Sequence, residues 1–216
     1  MQYQNLLFDL DGTLTDPGLG ITNSVAYALN KFGITVSDRS ALFSFIGPPL
    51  IESFMRFYSF SREDAERAVA YYREYFSEIG IFENTPYEGI HSTLEQLRSS
   101  GKRLFVATSK PEVYARRITD HFSLTPYFEY IAGASFDETR SEKWDVIRYA
   151  LDTCELRDKS RTVMIGDRKH DMLGAQKTGL DAIGVLWGYG DREELASAGA
   201  THIVETQEAL TALLTK

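Results

Sequence analysis

Six short apolar runs, at positions 6–10, 103–108, 130–134, 162–165, 182–186 and 202–204, are too brief for helices and rich in β-branched or aromatic residues. That pattern predicts strands buried on both faces. Between the runs, apolar residues recur at three- and four-residue spacing. Helices are therefore predicted over 90–100, closed by Gly101; 111–122, opened by Pro111; 143–156; 171–177, before Gly179; and 193–198, before Gly199. Strands alternating with helices predict an α/β fold built on a doubly wound parallel sheet.

One stretch breaks the alternation. Between Gly20 and Gly80 no strand pattern occurs, whereas Ile21, Val25, Ala28, Leu29 and Phe32 repeat at helical spacing and stop at Gly33. A second helix is predicted over 49–58. A third starts at Ser61, whose spacing to Asp64 is that of a capping box, and runs to Gly80. Turn formers flank this insertion at 15–18 (Thr-Asp-Pro-Gly) and 84–89 (Asn-Thr-Pro-Tyr-Glu-Gly). The expected organisation is an α/β core of residues 1–15 and 86–216, with a small all-helical domain of residues 16–85 inserted after the first strand and paired hinges between them.

Charge narrows the partners. A formal net charge of −8 on 216 residues repels a nucleic-acid backbone and an anionic membrane surface. A small anionic substrate stays compatible, because a metal ion and a few local cations can reverse the potential inside one cleft. The single cysteine, Cys154, rules out an intrachain disulfide and a cysteine-rich metal site, and is expected to pack on a helix. No run approaches the ~18 apolar residues of a membrane span, and the N-terminal segment has neither a basic region nor an uninterrupted apolar core. A cytoplasmic location is expected. Monomer and homodimer are equally compatible with the composition.

The most informative string is Phe8-Asp9-Leu10-Asp11-Gly12-Thr13. Two acids two residues apart follow a buried strand and precede a Gly-Thr turn, so they fall at the carboxyl edge of the sheet, where such sheets bind ligands. Either acid could help hold a hard cation, and one could attack phosphorus while the other handles protons. A solvated turn whose aspartates cap a helix would carry the same residues. The whole string resembles the first signature of the haloacid dehalogenase superfamily of phosphohydrolases.

Three further segments match that superfamily's remaining signatures. Thr108, followed by Ser109, ends the strand Leu104-Phe105-Val106-Ala107; taken alone, Thr108 would be a helix cap. Lys143 follows Arg140-Ser141-Glu142, with Arg140 the competing cation. Asp167 and Asp171 lie in Gly166-Asp167-Arg168-Lys169-His170-Asp171, where many relatives carry a small hydroxyl residue in place of Arg168. The four histidines are dispersed, with no zinc-binding spacing, and His170 is expected to face outward. Oxygen ligands favour Mg²⁺.

The resemblance implies a mechanism and a cofactor. Asp9 is the expected nucleophile, forming an aspartyl-phosphate, and Asp11 the acid that protonates the leaving group and then activates water. Thr108, Ser109 and Lys143 are expected to hold the phosphoryl group. Mg²⁺ is expected on Asp9, Asp167 and the Asp11 carbonyl, with Asp171 orienting metal-bound water or fixing Lys143.

The helical insertion resembles the caps of phosphoglycolate phosphatases, β-phosphoglucomutases and some 5′-nucleotidases, and the chain resembles the phosphoglycolate phosphatase and 5′-nucleotidase branch. A small phosphate ester, either 2-phosphoglycolate or a nucleoside 5′-monophosphate, is the expected substrate. Gly47, Arg56 and Arg73 are candidate substrate contacts in the insertion, and its many aromatics are expected mainly to build its own core. A mutase is disfavoured because no histidine precedes His91. A pyrophosphatase or a non-catalytic binding protein on the same fold is also compatible with the sequence.

Overall fold

The computed structural model describes residues 3–137 and 139–215. In chain order, β1 (Asn5–Phe8) and the short β2 (Thr15–Asp16) precede helices α1 (Gly18–Lys31), α2 (Leu50–Tyr58) and α3 (Arg62–Tyr75). Then come β3 (Thr85–Pro86), α4 (Ile90–Ser99), β4 (Arg103–Pro111), α5 (Glu112–His121) and β5 (Tyr130–Ala134). The chain ends with α6 (Lys143–Thr153), β6 (Thr162–Gly166), α7 (Lys169–Thr178), β7 (Asp181–Val185), α8 (Arg192–Ser197), β8 (His202–Val204) and α9 (Gln207–Leu214). It divides into two compact units, one of residues 86 onward together with the segment up to Thr15, the other Asp16–Thr85.

In the first unit, six strands among the described residues form one sheet in the order β5-β4-β1-β6-β7-β8, and their pairings are parallel. From β1 the chain builds outward through β4 and β5, then returns to β1's other side and builds outward again. The reversal makes β1, flanked by β4 and β6, the topological switch point of the sheet. Because Phe8 sits opposite both Val106 and Ile165, residues just past these positions emerge side by side, strands being about 4.8 Å apart.

Burial on both faces explains the continuous apolar strands. Leu7, Phe105, Met164 and Ala182 pack with Val146, Ile147 and Ala150 of α6 and Met172 and Ala175 of α7. The alternate residues Leu6, Phe8, Leu104, Val106, Val163 and Ile165, also buried, face the opposite layer, where α4 and α5 pack. Cys154 caps the end of α6 and packs against the first of these layers as a free thiol.

Helix α9 lies beyond the elements the periodicity predicts; it is short, and its start is set by Thr206, whose hydroxyl accepts from the Ala209 amide. Strand β4 also runs three residues past its predicted end at Thr108. Thr108 pairs with Gly133 but Pro111 pairs with the very next residue, Ala134, so Ser109 and Lys110 form a bulge. A bulge re-aims the side chains within it.

The second unit is helical. Ser61 starts α3 by accepting from the Asp64 amide, and α1 packs on α3. Aromatic rings fill this unit: Phe45 contacts Phe54 at 5.0 Å, Phe32 contacts Phe60 at 4.7 Å, and Tyr72 stacks on Phe76 at 5.2 Å. Phe43 and Phe57 are exposed.

Candidate active site

The switch point assembles the first acid and the lysine directly. Asp9 extends the β1 ladder through its amide, which donates to the Ile165 carbonyl. Its Oδ1 accepts from the Leu10 amide at 2.7 Å and lies 2.9 Å from Lys143 Nζ. Lys143 opens α6, where a cation opposes the helix dipole. Three oxygens compensate for that placement: Asp9 Oδ1, Asp171 Oδ1 at 2.7 Å, and the Ala107 carbonyl, which accepts at 3.1 Å. Burial alone would lower the Lys143 pKa, but Asp171 and Asp9 outweigh it and hold it raised.

The acids of the fourth signature sit on β6 and α7. Asp167, fully buried just beyond β6, accepts from the Tyr189 amide on Oδ2 at 2.7 Å and from the Thr13 hydroxyl on Oδ1 at 3.4 Å. Asp171 Oδ2 accepts from the Arg168 amide and so caps α7. Burial and neighbouring negative charge push Asp167 well above the ordinary carboxylate range. Burial, with Asp9 adding to it against the pull of Lys143, pushes Asp171 up to about 6.

Close approach of these segments depends on Gly12. Its φ of +78° is left-handed, and a Cβ there would overlap the Asp167 carboxylate. Asp9, Asp167 and Asp171 consequently each offer an oxygen within 4.8 Å of the others. Three carboxylates crowded in a buried site, with one lysine to offset them, are a donor set suited to a hard divalent cation.

Asp11 points elsewhere. Its Oδ2 lies 2.8 Å from Lys110 Nζ, and both side chains are largely buried. Burial raises the Asp11 pKa and Lys110 acts against that rise. Lys110 does not emerge from sequence reasoning: it lies between Thr108 and a helix-opening proline, and only the β4 bulge turns it inward. Thr108 is buried, its hydroxyl accepting from the Lys110 amide at 3.3 Å, and Ser109 is half-buried.

Arg140 donates to the Gly133 carbonyl at 2.8 Å and stacks over Tyr149 at 3.7 Å, so Lys143, not Arg140, is the cation beside Asp9. Arg168 donates to Glu194 at 2.9 Å. His170 is half-buried, and α7 starts two residues before the predicted position. Burial, with Arg168, Lys169 and Lys143 nearby, lowers its pKa. Gly47, Arg56 and Arg73 belong to the helical unit: Gly47 has a φ of +104°, Arg56 is exposed with its guanidinium 5.4 Å from the Phe57 ring, and Arg73 is half-buried in α3.

A parallel sheet with buried aspartates and a lysine converging at its switch point defines an α/β enzyme of the phosphoryl-handling class. Similarity to known proteins narrows the class. A family model described as haloacid dehalogenase-like hydrolase matches residues 6–185, and the chain belongs to that family, as a phosphatase.

It is 46% identical to a 5′-nucleotidase of Pseudomonas aeruginosa over 99% of this chain and 96% of the relative. It is 42% identical to the tyrosine-protein kinase PtkA of Mycobacterium tuberculosis, over 96% of this chain and 72% of the relative. Among solved structures, a predicted phosphatase from Clostridium acetobutylicum superposes with a TM-score of 0.94 at 50% identity, covering 99% of both chains. Among the described residues, no helix is long and apolar enough to cross a membrane.

Proposed function

We propose that the protein is a Mg²⁺-dependent phosphomonoesterase acting on small phosphorylated metabolites, nucleoside 5′-monophosphates foremost, through an aspartyl-phosphate on Asp9. The observation that carries this reading is Lys143 Nζ standing 2.9 Å from Asp9 and 2.7 Å from Asp171, beside the Asp167 carboxylate. The 5′-nucleotidase relative supports the choice of substrate class.

With Oδ1 held by the Leu10 amide and Lys143, Oδ2 of Asp9 attacks phosphorus in line and the ester oxygen leaves. Asp11 protonates that oxygen, then takes a proton from the water that hydrolyses the aspartyl-phosphate. Lys110 holds Asp11 in place between the two half-reactions. Lys143 neutralises the phosphoryl charge, and Thr108 and Ser109 donate to its oxygens. Asp9, Asp167 and the Asp11 carbonyl would hold Mg²⁺, which would supply Lewis-acid neutralisation of the phosphoryl oxygens. Asp171, a member of the same carboxylate group, fixes Lys143. Gly47, Arg56 and Arg73 remain candidate substrate contacts of the helical unit, which would serve as a cap.

The test is phosphate release with Mg²⁺ from nucleoside 5′-monophosphates, 2-phosphoglycolate, pyrophosphate and sugar phosphates, beside Asp9→Asn. The highest kcat/KM is expected for a nucleoside monophosphate. A best substrate of another class would overturn the nucleotide assignment, and absence of release from all of them would overturn the hydrolase reading. The kinase-named relative adds one arm, ATP with a tyrosine peptide, where no transfer to tyrosine is expected.

Thermal unfolding tests the cation site separately. A carboxylate whose folded-state pKa exceeds its unfolded value binds protons more tightly when folded, so metal-free stability falls as pH rises through the folded pKa. Asp171, at about 6, and Asp167, further raised, make this contribution. Cation binding needs the ionised carboxylates. The Mg²⁺-induced increase in Tm should therefore be several degrees larger at pH 8 than at pH 6; equal increases at both would count against the three-aspartate site.

A further inference from the structure

Between β7 and α8 runs Trp187-Gly188-Tyr189-Gly190, a string the mechanism does not use. Its contacts form a closed ring of hydrogen bonds. The Trp187 indole N–H donates to the Thr13 carbonyl at 3.0 Å. The hydroxyl of Thr13, a fully buried residue, donates to Asp167 Oδ1 at 3.4 Å, and the Tyr189 amide donates to Asp167 Oδ2 at 2.7 Å. Tyr189 lies two residues from Trp187, which closes the ring.

Backbone packing tightens this arrangement. A Cβ on Gly188 would overlap the Gly12 carbonyl and the Asp167 side chain, and one on Gly190 would overlap the Asp167 carbonyl. The loop thus lies directly on both the Gly12-Thr13 turn and Asp167, its two glycines leaving room for the backbones to touch. Both Asp167 oxygens are held by donors whose positions depend on where this loop is anchored. The indole N–H, a donor with no acceptor function, is the side-chain anchor that ties the loop to the turn following Asp9 and Asp11.

We propose that Trp187 is a positioning residue for the divalent cation: its hydrogen bond to Thr13 presets the Asp167 carboxylate against Asp9, so the site is formed before the ion arrives. The inference rests on the reading of Asp167 as a cation ligand. It assigns part of the ion's affinity to a side chain that touches neither ion nor substrate. Partners that orient metal ligands typically contribute about 10- to 100-fold in affinity, and loss of one of several hydrogen bonds belongs at the lower end.

The experiment is direct Mn²⁺ binding, read as loss of the free-ion electron paramagnetic resonance signal, for the wild type, Asp167→Asn and Trp187→Phe. Trp187→Phe keeps an aromatic ring and removes the N–H donor. Its Kd for Mn²⁺ should rise roughly 10-fold, and half-maximal phosphate release should need correspondingly more Mg²⁺, with kcat at saturating Mg²⁺ changing less than the affinity does. A Kd equal to the wild type's, while Asp167→Asn has lost binding, would overturn the role of Trp187 and leave the cation site standing. No Mn²⁺ binding by the wild type, or undiminished binding by Asp167→Asn, would instead remove the reading on which the inference rests. If Trp187→Phe fails to fold, Trp187→Leu removes the same indole donor to the Thr13 carbonyl; an unchanged Kd there overturns the proposal as well.

Discussion

Asp9→Asn is expected to lower kcat by at least about 10⁴-fold, with circular dichroism and Tm close to the wild type's. The amide has the shape of the carboxylate but is too weak a nucleophile to open the ester, and removal of a nucleophile in a covalent mechanism forfeits the whole two-step route. The same change removes one of two negative charges flanking Lys143, so some destabilisation is expected. The loss of one like-charge neighbour also eases the burial of Asp171, whose pKa Asp9 helps to raise, and the two effects oppose each other. One readout reports the covalent step directly: labelled phosphate retained on the wild-type protein after acid quench, and none on the variant. Residual activity within about 100-fold of the wild type would leave Asp9 in a supporting position and require another nucleophile.

Lys143→Met is expected to damage both stability and activity. The lysine is almost fully buried between Asp9 and Asp171, and its removal leaves two carboxylates facing each other with no cation between them. Breaking a buried pair in this way costs about 3–5 kcal/mol. For a chain of this size each kcal/mol is worth roughly 2–4 °C in Tm, so a fall of about 10 °C is expected without Mg²⁺.

At saturating Mg²⁺, with the protein folded at 25 °C, kcat should still be down about 10²- to 10³-fold, the usual scale for losing one charged donor to a reacting group. Lys143→Arg should not restore it. Gly174 leaves room for the lysine stem, a Cβ there coming within 2.8 Å of Lys143 Cγ, and the planar guanidinium is larger than the space between the two acids. A Lys143→Met enzyme with kcat within threefold of the wild type would show that the lysine serves packing alone.

Much of the α/β framework is written in one-dimensional patterns. Strands buried on both faces need unbroken apolar runs, and the 130–134 and 202–204 runs coincide with β5 and β8. Helix starts follow local chemistry, as at Ser61, whose side chain can reach only the amides of its own first turn. Asp9, Thr108 and Asp167 were legible as candidates because each follows a strand, and the order of strands in a doubly wound sheet carries such positions to one edge. Boundaries are less legible: β4 extends beyond the pattern because of a bulge against β5, and α7 because Asp171 caps it from within its own first turn, which periodicity does not register.

The sequence by itself determined the alternation of elements, the helical insertion and the acids at strand ends, all of which rest on contacts between residues close in the chain or on burial common to a whole strand. Tertiary structure alone decided which groups meet. The Lys110 contact with Asp11 spans 99 positions and exists because a bulge turns one side chain inward. The half-burial of His170 and the diversion of Arg140 to Gly133 likewise depend on what packs beside them. Trp187 and Thr13 stand 174 residues apart, and their meeting depends on two glycines that let separate backbones touch. Local patterns carry no information about such distances, because a side chain's partner there is set by the shape of the packed interior and by where a buried charge can be balanced.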